Sequence, residues 1–407
     1  MKLLLFIIPV FIYGQSLQSL IVLAKQKSDL VVSKELSKKA KNISVEARKS
    51  SYYPTIDMGA AYQTLNEKTY MMPGDIYSGY AKAGIDIYDG GKKSALLEQS
   101  RHEYDSSGFD LEAQKQSLSL EISKAFFNIK SMRAVLDSRE EAKRSLQEQL
   151  TRMQRFYKAR VATKDDVDRL QAAFDTNTYE MESLKLQILS LKYSLELYVG
   201  KEITSLDDSK FTTFKEHEIE LTDSIKSHMA GKDALVSRAE SIDSSYYPTI
   251  RLEDTYSMYD YGRTDSLHPE GVDAQNKLLV SLNFRLYDNG VISKTKQALM
   301  IDSQAAEAQI AFSTKEQQMQ YDIAVATIKT SASKIKSAKS ALTSATSAFT
   351  TISKKYEAGI VDNVAYLDAL SSQTSAKALY ETSLNDLEVA YATYYYYAGK
   401  NIEEFLQ

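Results

Sequence analysis

The chain is written twice, and that repetition limits what it can fold into more than any other feature of the sequence. Ser51-Tyr52-Tyr53-Pro54-Thr55-Ile56 returns as Ser245-Tyr246-Tyr247-Pro248-Thr249-Ile250, 194 positions on. Tyr88-Asp89-Gly90 returns as Tyr287-Asp288-Asn289-Gly290, 199 positions on, and the same 199 separates Tyr157 from Tyr356 and Gly200-Lys201 from Gly399-Lys400. The five extra residues fall between the first and second anchors, where a loop is expected. A unit this long is not a solenoid repeat; it is a duplicated domain-sized block. The prolines follow the duplication. Pro54 and Pro248 open one element in each half, and Pro73 and Pro269 sit in the loop that follows. The remaining proline is Pro9, so long stretches of each half contain nothing that breaks a helix.

Two periodicities alternate within each half. After Pro54, Ile56, Met58, Ala60 and Tyr62 alternate with Asp57, Gly59, Ala61 and Gln63; Ala81, Ala83, Ile85 and Ile87 then alternate with Lys82, Gly84, Asp86 and Tyr88. The second half does the same with Ile250, Leu252, Tyr256 and Met258, and again with Leu278, Val280, Leu282, Phe284 and Leu286. Period two over such lengths predicts strands at about 52–64, 80–89, 247–260 and 275–288, apolar on one face and polar on the other, the pattern of transmembrane barrel strands. Asp254 interrupts its apolar row, either near the membrane edge or by a slip of register. The period then changes. Leu111, Leu118, Ile122, Ala125, Ile129, Met132 and Leu136, and in the second half Ile328, Ala332, Ile335, Ala338, Leu342, Ala345, Phe349, Ile352 and Tyr356, step by threes, fours and sevens. These are coiled-coil seams. A helix from about Gly91 to Tyr157 would be about 100 Å long. It turns and returns from about Lys164 to Val199, with Gly200 and Gly399 at C-terminal caps. Shorter helices near Gln18–Lys49 and Leu221–Ile242 lead into the strands.

The expected organisation is a secretory signal at 1–16, a first repeat at 17–203, a linking segment at 204–220 and a second repeat at 221–407. Lys2 followed by the apolar run Leu3–Tyr13 and the small residues Gly14-Gln15-Ser16 has the signal form, and the run is too short to span a membrane as a helix. The absence of cysteine excludes disulfides, thiolate metal sites and thiol nucleophiles. His102, His217, His228 and His268 are scattered without a zinc-binding spacing, and no catalytic or phosphate-cradling motif appears. A net charge of −4 on 407 residues gives no reason to expect nucleic acid. No cofactor is expected, and the chain reads as no enzyme. On the helices alone, a soluble periplasmic coiled-coil scaffold or adaptor is the rival reading; the signal and the four alternating strands count against it.

Four strands cannot close a barrel, and an open sheet edge in lipid strands backbone groups without partners at several kcal/mol each. Either the chain oligomerises, or the strands are not in a membrane; three copies would give twelve strands. The order of helix, strand pair, very long helix, turn and returning helix, written twice, resembles the TolC-like outer-membrane efflux protein family. The second turn carries the most specific residues. Tyr356-Glu357-Ala358-Gly359 followed by Tyr366-Leu367-Asp368-Ala369 is similar to the family's Tyr-x-x-Gly and Leu-Asp-Ala. The first half has the weaker Tyr157-Lys158-Ala159-Arg160 and then Asp166-Val167. The resemblance implies a mainly α chain with membrane β-barrel strands, three copies forming a 12-stranded barrel and an α-helical tunnel. It implies a passive export conduit in the outer membrane, reaching into the periplasm, with outer-membrane lipid, a periplasmic adaptor and an inner-membrane pump of RND or ABC type as partners, in a tripartite efflux or type I secretion system. It places a periplasmic gate at the helical turns. The candidates there are Tyr356, Asp362, Asp368, Arg160, Asp165 and Asp166. Ala365 stands where some members carry a second acidic residue, and Asp362, Asp165 and Asp166 are the carboxylates that could compensate. For Asp165 and Asp166 the plainer role is that of carboxylates at a helix start, favoured by the dipole.

Overall fold

The computed structural model describes residues 15–69, 72–212, 215, 217–264 and 271–407. The expected signal segment lies outside them except for Gln15 and Ser16, as does Pro269. In chain order the elements are α1 (Leu17–Lys27), α2 (Asp29–Ser50), β1 (Thr55–Thr64), β2 (Asp75–Tyr88), α3 (Lys92–Lys158), α4 (Lys164–Val199), α5 (Asp223–Asp243), β3 (Thr249–Gly262), β4 (Ala274–Asn283), α6 (Val291–Glu357) and α7 (Asn363–Tyr397), with short 3₁₀ turns at Ser244–Tyr246 and Ile402–Phe405. The leading helix expected from Gln18 to Lys49 is two helices. Ser28 is extended, and its carbonyl starts the second ladder by accepting from Val32 N. No helix of the described residues is long and apolar enough to cross a membrane.

The fold divides into two compact units. One comprises Glu35–Asp110 and Ser224–Phe312 and holds a four-stranded antiparallel sheet in the order β1-β2-β3-β4. The pairing explains where the strands depart from the limits expected of them. β3 runs on to Gly262 and pairs it with Asp75, so β2 begins at Asp75 rather than near residue 80. β3 begins only after Pro248, with Thr249 opposite Asn283, so β4 ends at Asn283; Phe284 and Leu286 continue the alternation with no partner strand among the described residues. Asp254 lies between Ala83 and Leu278 in an unbroken ladder, so it sits on the apolar face without any slip. The irregularity is instead in β2, between Asp86 and Tyr88.

The polar face carries a chain of ion pairs. Lys82 meets Glu253 at 3.3 Å, Glu253 meets Arg251 at 3.3 Å, Arg251 meets Asp86 at 2.8 Å and Asp86 meets Lys93 at 3.1 Å. The repeated Tyr-Asp motif at the strand exits has a local cause. Asp89 accepts from Gly91 N at 3.0 Å and Lys93 N at 2.8 Å; Asp288 accepts from Gly290 N at 2.9 Å and Ile292 N at 2.7 Å. Each carboxylate thus occupies the orphan amides that open a long helix. Gly90 (φ 69°) and its counterpart Asn289 (φ 56°) turn the chain in the left-handed region that Gly and Asn tolerate.

The other unit comprises Met1–Lys34, Leu111–Asp223 and Ser313–Gln407. Its larger core packs Leu17, Leu20 and Ile21 of α1 with Ile122, Phe126 and Phe127 of α3, Leu195 of α4, and Tyr394 and Tyr395 of α7. The seam positions Leu111, Leu118, Ile122, Ala125 and Ile129 are all buried here. The buried Gln317 amide is fully used: it accepts from Thr222 N at 3.2 Å and donates to the carbonyls of Glu220 at 2.7 Å and Tyr397 at 2.8 Å. Gly399 closes α7 at φ 74°, with the Glu220 carbonyl only 2.4 Å from where a Cβ would stand, so no other residue fits.

Candidate functional site

The two helical turns obey one design with different residues. At the end of α6, Gly359 N donates to Tyr356 O at 3.0 Å and Ile360 N to Lys355 O at 2.8 Å; at the end of α3, Arg160 N donates to Tyr157 O and Val161 N to Phe156 O, both at 2.9 Å. This is the Schellman closure, which needs a left-handed residue. Gly359 takes φ 72° without strain, whereas Arg160 holds φ 59° with a Cβ. Arg160 is exposed, and its role in the structure is this turn.

The acidic candidates divide by function. Asp362 is the N-cap of α7, accepting from Ala365 N at 3.0 Å. Thr163, its counterpart 199 residues earlier, caps α4, and Asp166 completes a capping box by accepting from Thr163 N at 3.2 Å. Asp165 pairs with Arg169 one turn on at 2.9 Å. Three of the four carboxylates are therefore committed to helix starts. Asp368 is exposed on α7 and makes no hydrogen bond or ion pair among the described residues of its own chain. It lines a groove of about 390 Å³ with Arg139, Asn177, Glu180, Ser371 and Thr374. There Arg139 pairs with Glu180, and Asn177 Nδ2 donates to Arg139 O at 3.0 Å.

Tyr356 faces inward. Its ring stacks on Tyr366 at 4.9 Å, its hydroxyl is buried with no partner among the described residues, and burial raises its pKa. Tyr366 is 2% exposed, packed with Leu146, Leu150, Leu170 and Leu370; burial pushes its hydroxyl up to about 12, against a bond to Ser145. Two ties between the turns were not read from the sequence. Asn363 Nδ2 donates to Asp166 O at 3.1 Å, and Arg152 donates to Glu357 O at 3.2 Å, a cation at the C-terminus of α6. Asn363 carried a faint signal, an amide directly after a helix cap; Arg152 is one of many basic residues on α3. The arrangement is a buried aromatic plug under two capped turns, with carboxylates around it. Among the described residues no cluster of His, Asp and Glu suits a metal ion.

The sequence pattern of the outer membrane efflux proteins matches residues 20–201. No curated protein matches the chain in sequence. Solved structures match it in fold over both repeats. The outer membrane protein VceC of Vibrio cholerae superposes with a TM-score of 0.79 at 15% identity, over 95% of this chain and 96% of that one. The CmeC outer membrane channel of Campylobacter jejuni gives 0.83 at 13% identity over 94% and 85%. The open state of the MtrE outer membrane channel of Neisseria gonorrhoeae gives 0.77 at 14% over 95% and 89%. Over residues 20–201 the chain is similar in sequence to the outer membrane efflux proteins, and over both repeats it has the fold of the outer-membrane channels.

Proposed function

We propose that three copies of the chain form a passive export channel that spans the outer membrane with a barrel and continues as a helical tunnel in the periplasm. The observation that carries this is the four-stranded sheet with two free edges, apolar on one face and ion-paired on the other. Such a sheet satisfies its backbone in lipid only by pairing with further copies. The channel serves a tripartite efflux or type I secretion system, docking through a periplasmic adaptor to an inner-membrane pump of RND or ABC type; the family match over the first repeat supports that assignment. The turns at Arg160 and Gly359 form the periplasmic gate, with the Asp368 carboxylates of three copies making an acidic ring that favours cations. Fractionation of cells expressing the protein, with dye accumulation in cells lacking it, tests the reading. Recovery with the outer membrane and raised accumulation support it. A protein found in the soluble periplasmic fraction, with accumulation unchanged, rejects it in favour of a coiled-coil scaffold.

A further inference from the structure

β1 and β4 are the two free edges of the sheet, and both are ten residues long. We propose that β1 of one copy pairs with β4 of the next in a single register, Thr55 opposite Asn283 and Thr64 opposite Ala274. The inference rests on the trimeric barrel reading and adds the contact that closes it.

Three constraints fix the register. First, face: the apolar row on each edge has even numbers (Ile56, Met58, Ala60 and Tyr62 on β1; Leu278, Val280 and Leu282 on β4), so only registers that pair even with even keep one apolar surface. Second, tilt: straight across the sheet, Thr55 is level with Gly84, Glu253 and Leu279. A closed barrel needs its strands tilted by roughly 35–45°. With a spacing of about 4.8 Å and a rise of about 3.3 Å, twelve strands then need a total stagger of roughly 12–18 residues. Shared among three copies in face-preserving even steps, that is about four or about six residues each. Third, length: a step of four in the direction that overlaps the strands brings Gly59 opposite Leu279. It pairs every residue of β1 with every residue of β4, whereas a step of six leaves residues at both ends unpaired, and in lipid each unpaired group is costly. The same register sets Ile56 opposite Leu282, Met58 opposite Val280 and Ala60 opposite Leu278. These apolar pairs are fully exposed in the single chain, Met58 at 82% and Leu278 at 69%. On the polar face it sets Ala61 opposite Lys277.

The cysteine-free chain makes the test direct. Lys277→Cys is combined in turn with Ala61→Cys, Asp57→Cys and Gln63→Cys in the full-length protein, and each double variant is oxidised in the membrane and run denatured without reductant. Within one copy these edges are separated by two intervening strands, about 14 Å, too far for a disulfide, so any bond joins neighbours. The account expects the 61/277 pair to give a covalent three-chain species, with the 57/277 and 63/277 pairs at least tenfold slower. Dominant cross-linking at 57/277 or 63/277, or none at 61/277 in a protein that is trimeric in detergent, overturns the register while leaving the barrel. A protein that is monomeric in detergent overturns the trimeric reading itself.

Discussion

The side-chain amide of Asn363 donates to the backbone carbonyl of Asp166 at 3.1 Å, tying the first turn of α7 to the first turn of α4. Asn363 is itself buried, so the bond is shielded from water and each helix start is held by the other. Replacing Asn363 by Ala removes the tie and is expected to cost about 1–2 kcal/mol. In single-channel records the closed level of the variant should flicker or rise. A melting temperature and closed level equal to those of the parent would show that the two turns are not mechanically linked.

Tyr356 and Tyr366 are stacked neighbours with opposite expectations. Tyr356 buries a hydroxyl without a partner, so Tyr356→Phe keeps the ring contact and removes a desolvated group. Stability should be unchanged or rise by about 1 kcal/mol. Tyr366→Phe loses the bond to Ser145 in a buried core and should fall by about 1 kcal/mol. Thermal unfolding of both variants decides the point. A marked loss in Tyr356→Phe would mean that a group outside the chain accepts its hydroxyl in the assembled protein.

Among the described residues Asp368 is the candidate gate carboxylate with no capping or pairing partner. Asp368→Asn should lower cation selectivity and weaken block by multivalent cations, with little change in stability. Asp166→Ala, by contrast, breaks the capping box and should cost about 0.5–2 kcal/mol. Reversal potentials across a salt gradient, measured beside melting curves, separate the two classes. Unchanged selectivity in Asp368→Asn would remove it from the gate.

Glu388 lies on α7 with its carboxylate accepting from Phe211 N at 2.7 Å, and burial raises its pKa against that bond. For an acid with a folded pKa above its unfolded one, the charged form costs stability at neutral pH. That cost fades as pH falls through the folded value. Glu388→Gln keeps an acceptor for Phe211 and should therefore equal or exceed the parent in stability at pH 7, with the advantage shrinking towards acid. Melting curves from pH 7 to pH 4 check the sign; an advantage that grows in acid would contradict it.

Much of this molecule was legible because its signals are periodic and repeated. The α4 limits, Lys164 to Val199, follow directly from a cap residue before the helix and Gly200 after it. The strands were found by alternation, but their ends were not, since Asp75 and Asn283 owe their positions to the extent of β3, a partner distant in sequence. Ser28 breaks the leading helix without Pro or Gly to announce it. At the turns, the family resemblance picked out the carboxylates, and the helix-start role was legible for Asp165 and Asp166, but the capping role of Asp362 was not, because a capping Asp and an exposed Asp read alike until the backbone amides around them are placed. The Asn363 tie joins residues 197 positions apart, so its place just after a helix cap says nothing of its partner.

Conductance of the detergent-purified protein in planar bilayers, with its mass determined in the same detergent, decides whether three copies form a closed channel. The account predicts a particle of three chains and a small, stable, cation-selective conductance that rises when Asn363 is replaced by Ala. A protein that stays monodisperse without detergent and gives no conductance would contradict it.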